Sequence, residues 1–379
     1  MVICVSAMTA ASTPVAAAGR QLEQVFPGAS IPQLKNYTWY ALDGAESVEK
    51  QSKYFVINTS VNGGASKEKL FISLPEEGGF RVQTLHQSQI DAGKTEPEVA
   101  CAGLFEPKSI KKIKYKTEGA ATVFTGTDGT TVKYTGDGNG FTLQIYSKED
   151  EKIVSLTNKQ ISYAYNKNGE VVRSMVEMPL ANKEAIYGGG ERFNSANQVG
   201  KKINLTNVDC WGAADNSYQN VAIFHSNRGY SMWYNMTYPG EADIGEYDPS
   251  KYSVMFDGSK LEFTVWQGMP LENVQKYTSL TGTSGVSEEW VYGFWTGAQN
   301  MAFEKGAGSY ANVTDLLDNY IKRYNFYPEA FFAEGAVARN SMCYNAIASK
   351  GIKVLGWYSS DMYKDVGSGM EAALPGISQ

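Results

Sequence analysis

Tyr187-Gly188-Gly189-Gly190-Glu191-Arg192-Phe193 is the stretch on which the reading of this chain turns. Three glycines in a row remove every Cβ, so the backbone can bend sharply or lie against another surface. A charged pair and an aromatic ring follow at once. The pattern predicts a bend at a sheet edge that something approaches closely, with Glu191 and Arg192 as an ion pair. A phosphate-cradling loop is a poor match. A dinucleotide fingerprint needs G-x-G-x-x-G with a strand before and a helix after, and here Glu191-Arg192-Phe193-Asn194 leads into more β-like sequence. Short alternating runs precede the stretch, and strand and helix patterns alternate from Val291 onward. Tyr187 to Tyr234 is therefore the seam between two domains.

Working outward toward the N-terminus, Lys53 to Ile57 and Lys69 to Leu74 read as half-buried strands bounded by Gly, Asn and Asp. Turn signals recur at Glu77-Gly78-Gly79, Thr127-Asp128-Gly129, Asp137-Gly138-Asn139-Gly140 and Asn166-Lys167-Asn168-Gly169. Thr122 to Phe124, Thr130 to Tyr134, Phe141 to Tyr146, Ile161 to Tyr165 and Val171 to Val176 fall between them as meander strands. No helix is expected before the seam, and an antiparallel β-sandwich of about 250 residues is the economical reading.

Working outward toward the C-terminus, Gly229 to Asn235 and Lys260 to Gln267 read as strands, and Pro270 to Tyr277 as a short helix with proline at its start. The period then changes. Val291 to Trp295 is an apolar run, and Val313, Leu316, Leu317, Tyr320, Ile321 and Tyr324 lay one stripe along a helix capped by Asn312. A strand over Ala330 to Ala333, a helix from Ser341 closed by Gly351 and a strand over Ile352 to Trp357 complete β-α-β-α-β. Both a (β/α)8 barrel and an open parallel sheet begin this way. About 90 residues follow Val291, whereas a whole barrel takes about 250. The expectation is a fragment with an incomplete barrel. Its domains are a signal-peptide remnant over 1–18, the sandwich over 19–285 and the start of the barrel over 286–379.

Composition narrows the function. A chain of 379 residues has material for sizeable cores, and its net charge of -6 without basic runs argues against a nucleic-acid partner. Residues 1–18 are uncharged and end in Ala16-Ala17-Ala18 before Gly19-Arg20, which resembles the apolar core and cleavage site of a secretory signal. No stretch is a good membrane span, so a secreted or cell-surface protein is expected. Four scattered cysteines and two histidines, His86 and His225, offer no metal-ligand spacing, no disulfide framework and no triad, and no cofactor is implied. The aromatic share of 12% suits both β-sheet cores and sugar faces.

Chemistry should then rest on carboxylates, the natural tools for glycosidic bonds. Side chains at the C-terminal ends of barrel strands line a barrel's site, which makes Glu334, ending the second strand, and Asp361, just beyond the third, the candidates by position. Acidic residues in such loops also serve as helix caps or solvated charges.

Tyr187-Gly-Gly-Gly-Glu-Arg-Phe, Asp215 ahead of Val221 to Phe224, Arg228-Gly229-Tyr230, Tyr277-Thr278-Ser279-Leu280-Thr281-Gly282, and Trp290 with Gly293-Phe294-Trp295 together resemble glycoside hydrolase family 31. Order and spacing agree from about residue 40 to about residue 300. The resemblance implies a mutarotase-like β-sandwich followed by a (β/α)8 barrel. It also implies an α-glucosidase-like enzyme that hydrolyses α-linked glycosides with retention, using two aspartates. The substrate would be an oligosaccharide or α-glucan. Alternatives within its reach are a non-catalytic carbohydrate-binding protein and an α-glucan transglycosylase. By the same resemblance Asp215 is similar to the acidic residue that reaches from the sandwich into the sugar pocket, with Glu334 near the one ending the second strand.

The chain departs from the family pattern in several places. Gly189 stands where an apolar residue is usual, and Glu334-Gly335-Ala336-Val337-Ala338-Arg339 lacks the usual Asp and tryptophans. The W-x-D-M-N-E nucleophile strand does not occur, Trp357 to Met362 being a near miss with the wrong spacing. The nucleophile and the acid/base are expected beyond Gln379, so no catalytic residue is assigned within the chain and the fragment is expected to be inactive. Nothing in the sequence specifies an oligomer.

Overall fold

The structure is a computed structural model that describes residues 37–98, 109–207, 216–298, 310–334 and 341–357. The chain divides at Thr283/Ser284 into two compact units.

The first unit is antiparallel β. One eight-stranded sheet runs in the order Ile186–Gly188, Ile223–Ser226, Tyr230–Tyr234, Glu262–Gln267, Phe80–His86, Ser66–Ser73, Phe55–Val61, Ser47–Lys50. A six-stranded sheet runs Thr38–Ala41, Ile161–Tyr165, Val171–Pro179, Lys251–Asp257, Gly240–Ile244, Lys201–Asn204. A five-stranded meander runs Lys152–Thr157, Gly140–Tyr146, Thr131–Asp137, Ala121–Thr125, Lys116–Glu118. The three sheets share one core. Phe55, Ile57, Leu70, Ile72 and Val82 from the first meet Ile161, Tyr163, Val176 and Val254 from the second and Phe124, Val132, Leu143 and Ile145 from the third. Phe141-Thr142-Leu143-Gln144-Ile145 shows why: its apolar residues are buried and the intervening polar ones half-exposed, the period-two pattern of a sheet with one face on the core. This is the sandwich expected from the sequence.

Three details differ from expectation. Tyr187 to Tyr234, expected as the seam, lies inside the first unit, and a short helix, Gln87–Asp91, does occur before it. It carries no apolar stripe; Ile90 packs on Val56, Phe71 and Leu85, and Gln87 accepts from Lys67 N at 2.9 Å. The helix expected over Pro270 to Tyr277 continues to Thr281. Its extra turn adds Leu280 to Tyr277 in packing on Ile223, Trp233 and Trp266. There the two tryptophans stack at 5.6 Å, Tyr277 stands edge-on to Trp233 at 5.5 Å, and Lys276 pairs with Asp128 at 2.8 Å.

In the second unit the strands Trp295–Ala298, Ala330–Glu334 and Lys353–Trp357 pair in parallel, with helices Tyr310–Tyr324 and Ser341–Ala348 between them. The β-α-β-α-β order is as expected, and the boundaries move. Glu289–Tyr292 is a 3-10 turn, so the first strand starts at Trp295 rather than Val291. The first helix begins at Tyr310, which places Asn312 inside its first turn instead of at its cap. Of the apolar stripe, Val313 and Leu317 are buried, whereas Leu316 and Tyr324 remain exposed.

Candidate functional site

The glycine stretch lies at the edge of the eight-stranded sheet, where Ile186–Gly188 pairs with Ile223–Ser226 in the register Gly188 to Phe224. Past Gly188 the backbone keeps following its neighbour, with Gly189 N donating to Ile223 O at 3.0 Å and Glu191 N to Gln219 O at 3.0 Å. Gly188 and Gly190 adopt φ of +115° and +96°. A Cβ on either would sit 2.1 Å from a carbonyl oxygen, that of Ile223 or of Gln219. Only glycine combines these torsions with so close an approach. The surface that the glycines were expected to meet is the backbone of residues 219–224 for Gly188 and Gly190, and the side chains of Ile203 and Phe224 for Gly189.

Tyr187 takes its place in the same register, opposite His225. Both histidines are buried, His225 with Nδ1 at 2.7 Å from Ser231 Oγ and His86 with Nδ1 at 2.7 Å from Glu68 Oε2. Burial in apolar surroundings lowers the His225 pKa, because the charged imidazolium would lose its water. Glu184 braces the start of the strand, accepting from Ser226 Oγ at 2.5 Å, from Tyr230 OH at 2.9 Å and, through its other oxygen, from Ala181 N at 2.8 Å.

The Arg192 guanidinium is not paired with Glu191 as expected. Its Nη2 donates to Gly189 O at 2.6 Å, to Asn204 O at 3.0 Å and to Asn220 Oδ1. Nη2 carries two hydrogens for these three acceptors, so one of the contacts is shared, and this single nitrogen joins three separate segments. Glu191 and Phe193 face water, with Phe193 64% exposed, and Tyr218 on the neighbouring segment is also exposed.

Arg192 is surrounded by asparagines. Asn204 Nδ2 donates to Asn216 Oδ1 at 3.2 Å, and the Asn220 amide donates to Asn207 Oδ1 through both its backbone N at 3.0 Å and its Nδ2 at 2.9 Å. These contacts bring 204–207 against 216–220. Asn204 itself pairs across the sheet with Glu241, a buried carboxylate that meets Arg173 at 3.2 Å and Lys202 at 3.3 Å. Burial pushes the Glu241 pKa up to about 7, against the pull of Lys202 and Arg173.

Tyr187, Gly188, Gly190, Glu191, Arg192 and Phe193 thus form one turn. Asp215 and Asp361 lie outside the described residues. Glu334 ends its strand with its backbone opposite Trp357 and belongs to the second unit; its side chain is outside the described residues. The asparagine set was missed in the sequence. Its signal was there, as Asn204, Asn207, Asn216 and Asn220 crowd the two sides of one short segment.

Residues 69–243 match the family described as the glycosyl hydrolase 31 N-terminal galactose mutarotase-like domain, a span that contains the glycine turn, Arg192 and all four asparagines. This stretch of the sandwich is similar to the N-terminal domain of glycoside hydrolase family 31. Among curated proteins, an α-xylosidase of Emericella nidulans is 29% identical over 40% of this chain and 19% of its own length. An α-xylosidase of Lactiplantibacillus pentosus is 23% identical over 40% of this chain and 20% of its own length. The chain spans about a fifth of the length of these curated relatives. Among solved structures, the cycloalternan-forming enzyme of Listeria monocytogenes, in complex with a pentasaccharide substrate, superimposes with a TM-score of 0.67 at 14% identity, over 89% of this chain and 34% of that one. The family 31 dextranase of Flavobacterium johnsoniae superimposes with a TM-score of 0.63 at 16% identity, over 83% and 38%. These two likenesses concern the fold.

Proposed function

We propose that the chain is the sandwich and first barrel strands of an exported α-glycoside hydrolase, and that its sandwich supplies one wall of the sugar pocket through Asp215. The observation that carries this is the family match across the glycine turn and the asparagine-lined segments flanking 208–215. The curated relatives named α-xylosidase support an α-linked substrate. Asp215 would accept hydrogen bonds from sugar hydroxyls, a charge-assisted contact that orients a polyol. Glu334 and Asp361, by their positions at the ends of barrel strands, would be sugar contacts of the second unit. Bond cleavage with retention needs two carboxyl groups about 5–5.5 Å apart, one as nucleophile and one as acid/base, and neither is assigned within these 379 residues. Water taking the glycosyl group makes the enzyme a hydrolase, and a sugar hydroxyl in its place makes a transglycosylase.

Titration calorimetry with isomaltotriose and with an α-xylosyl disaccharide tests the sugar wall. Asp215→Ala should weaken binding by about tenfold, the loss expected for one charge-assisted hydrogen bond. Equal affinity for both proteins would remove Asp215 from the site. The same chain should release no phenol from aryl α-glycosides.

A further inference from the structure

The sequence contains three Asn-Gly pairs, Asn62-Gly63, Asn139-Gly140 and Asn168-Gly169. All three asparagines are exposed, and each sits in the turn of an antiparallel hairpin. An asparagine followed by glycine is open to attack on its own side chain. The glycine nitrogen can reach the side-chain amide carbon because no Cβ stands in the way. That nitrogen must first give up its proton and turn toward the side chain. An N–H already held by an acceptor is hindered on both counts.

The three turns hold these nitrogens unequally. Gly140 N donates to Asp137 Oδ1 at 3.3 Å, beside the bond from Asn139 N to the same oxygen at 2.8 Å, and Gly140 pairs with Asp137 in the ladder. Gly169 N donates to Asn166 O at 3.0 Å. Asn166 Oδ1 also accepts from Asn168 N at 2.9 Å and from Glu170 N at 3.0 Å, which clamps that pair from both sides. Gly63 N, by contrast, donates to no acceptor among the described residues. Its turn is closed by Gly64 N to Asp43 Oδ2 at 3.1 Å and by Ala65 N to Asn62 O at 3.4 Å, the latter longer than the usual range. Space is open as well, since a Cβ added at Gly63 or Gly64 would meet nothing within 4 Å.

We propose that Asn62 is the site at which this chain deamidates spontaneously, and that the same dipeptide at Asn139 and Asn168 is protected by its turn. Gly63 N forms a bond to Asn62 Cγ, and the side-chain nitrogen leaves as ammonia with the proton that Gly63 N lost. Water then opens the cyclic succinimide at either carbonyl. One opening gives aspartate and the other isoaspartate, whose backbone is one carbon longer. Either product adds a carboxylate to the turn that Asp43 already braces. Isoaspartate also lengthens the connection between Val61 and Ser66, which are paired in the ladder, and Val61 belongs to the core.

Peptide mapping by mass spectrometry, on the full chain aged in mildly alkaline buffer, tests this. The amide-to-acid mass change should accumulate at Asn62 at least about fivefold faster than at Asn139 or Asn168, the factor expected for one hydrogen bond held or free. In the urea-unfolded chain the three sites should convert at similar rates, because glycine follows each of them. Asp137→Ala removes the side-chain acceptor of Gly140 N and should speed conversion at Asn139 several-fold while leaving the Asn62 rate in place. Conversion at Asn139 or Asn168 as fast as at Asn62 overturns the proposal. So does an Asn62 that stays intact in the folded chain while the unfolded chain converts. Rates that remain unequal in urea would trace the difference to local sequence and overturn protection by the turns, as would an unchanged Asn139 rate in Asp137→Ala.

Discussion

The two units of the chain treat their aromatic residues in opposite ways. In the sandwich Phe55, Phe71, Phe80, Phe124, Tyr163, Phe224, Tyr234, Tyr252, Phe256, Phe263 and Trp266 are fully buried. In the second unit, among the described residues, Phe331 joins that class while Tyr292, Phe294, Tyr324, Phe326 and Tyr327 are exposed. The difference follows from sheet type. Antiparallel sheets need only one covered face and can cover it with each other, as the three sheets of the first unit do. A parallel sheet needs layers on both faces and many strands, and the three strands and two helices among the described residues do not supply them. The sandwich is therefore where a local defect should cost most.

The largest effect is expected at the glycine turn. Gly190→Ala places a Cβ 2.1 Å from Gln219 O at φ +96°, and backbone must move to admit it. Strain of this kind costs about 3 kcal/mol, which in a unit of this size lowers the melting temperature by roughly 6–12 °C. Calorimetry should show the sandwich transition falling while the second unit's stays in place. A shift of about 1 °C would mean that the edge yields and the comparison between the units is too sharp.

A smaller effect, sensitive to pH, is expected at Glu241. Its folded pKa of about 7 lies above the ordinary 4.5, so the folded state holds this proton more tightly than the unfolded one. The group's contribution is fully present below pH 4.5 and is lost as pH rises toward 7. Glu241→Gln, which mimics the protonated form, should gain on the wild type by several degrees between those limits. If the variant instead falls behind as pH rises, the Arg173 and Lys202 pairs outweigh burial.

The smallest effect is expected in the second unit. Tyr327 is 58% exposed, so Tyr327→Ser should change stability by no more than about 0.5 kcal/mol. Light scattering should show less self-association, because exposed aromatic surface favours contact between molecules. A large drop in stability would show that this ring is covered after all.

Much of the sandwich was legible because period-two alternation and Gly/Asn/Asp turns are local signals. Ile161–Tyr165 was bounded correctly from sequence, and Gly140–Tyr146 to within one residue. Boundaries failed where tertiary contacts chose them. Trp295 begins its strand because it pairs with Ala330, although Val291 is equally apolar, and the helix at Pro270 continues because Tyr277 and Leu280 find Trp233 and Trp266. The glycine turn was located correctly and its wiring was misread.

Composition and periodicity were enough to specify a β-sandwich followed by alternating strand and helix, and the run Gly188-Gly189-Gly190 was enough to require a close backbone neighbour. Those properties are written in each segment by itself. Which backbone lies against the glycines, and that Arg192 joins Gly189, Asn204 and Asn220 in place of its neighbour Glu191, came from folding alone. A guanidinium chooses its acceptors by distance and direction in space, and adjacency in sequence has no bearing on either.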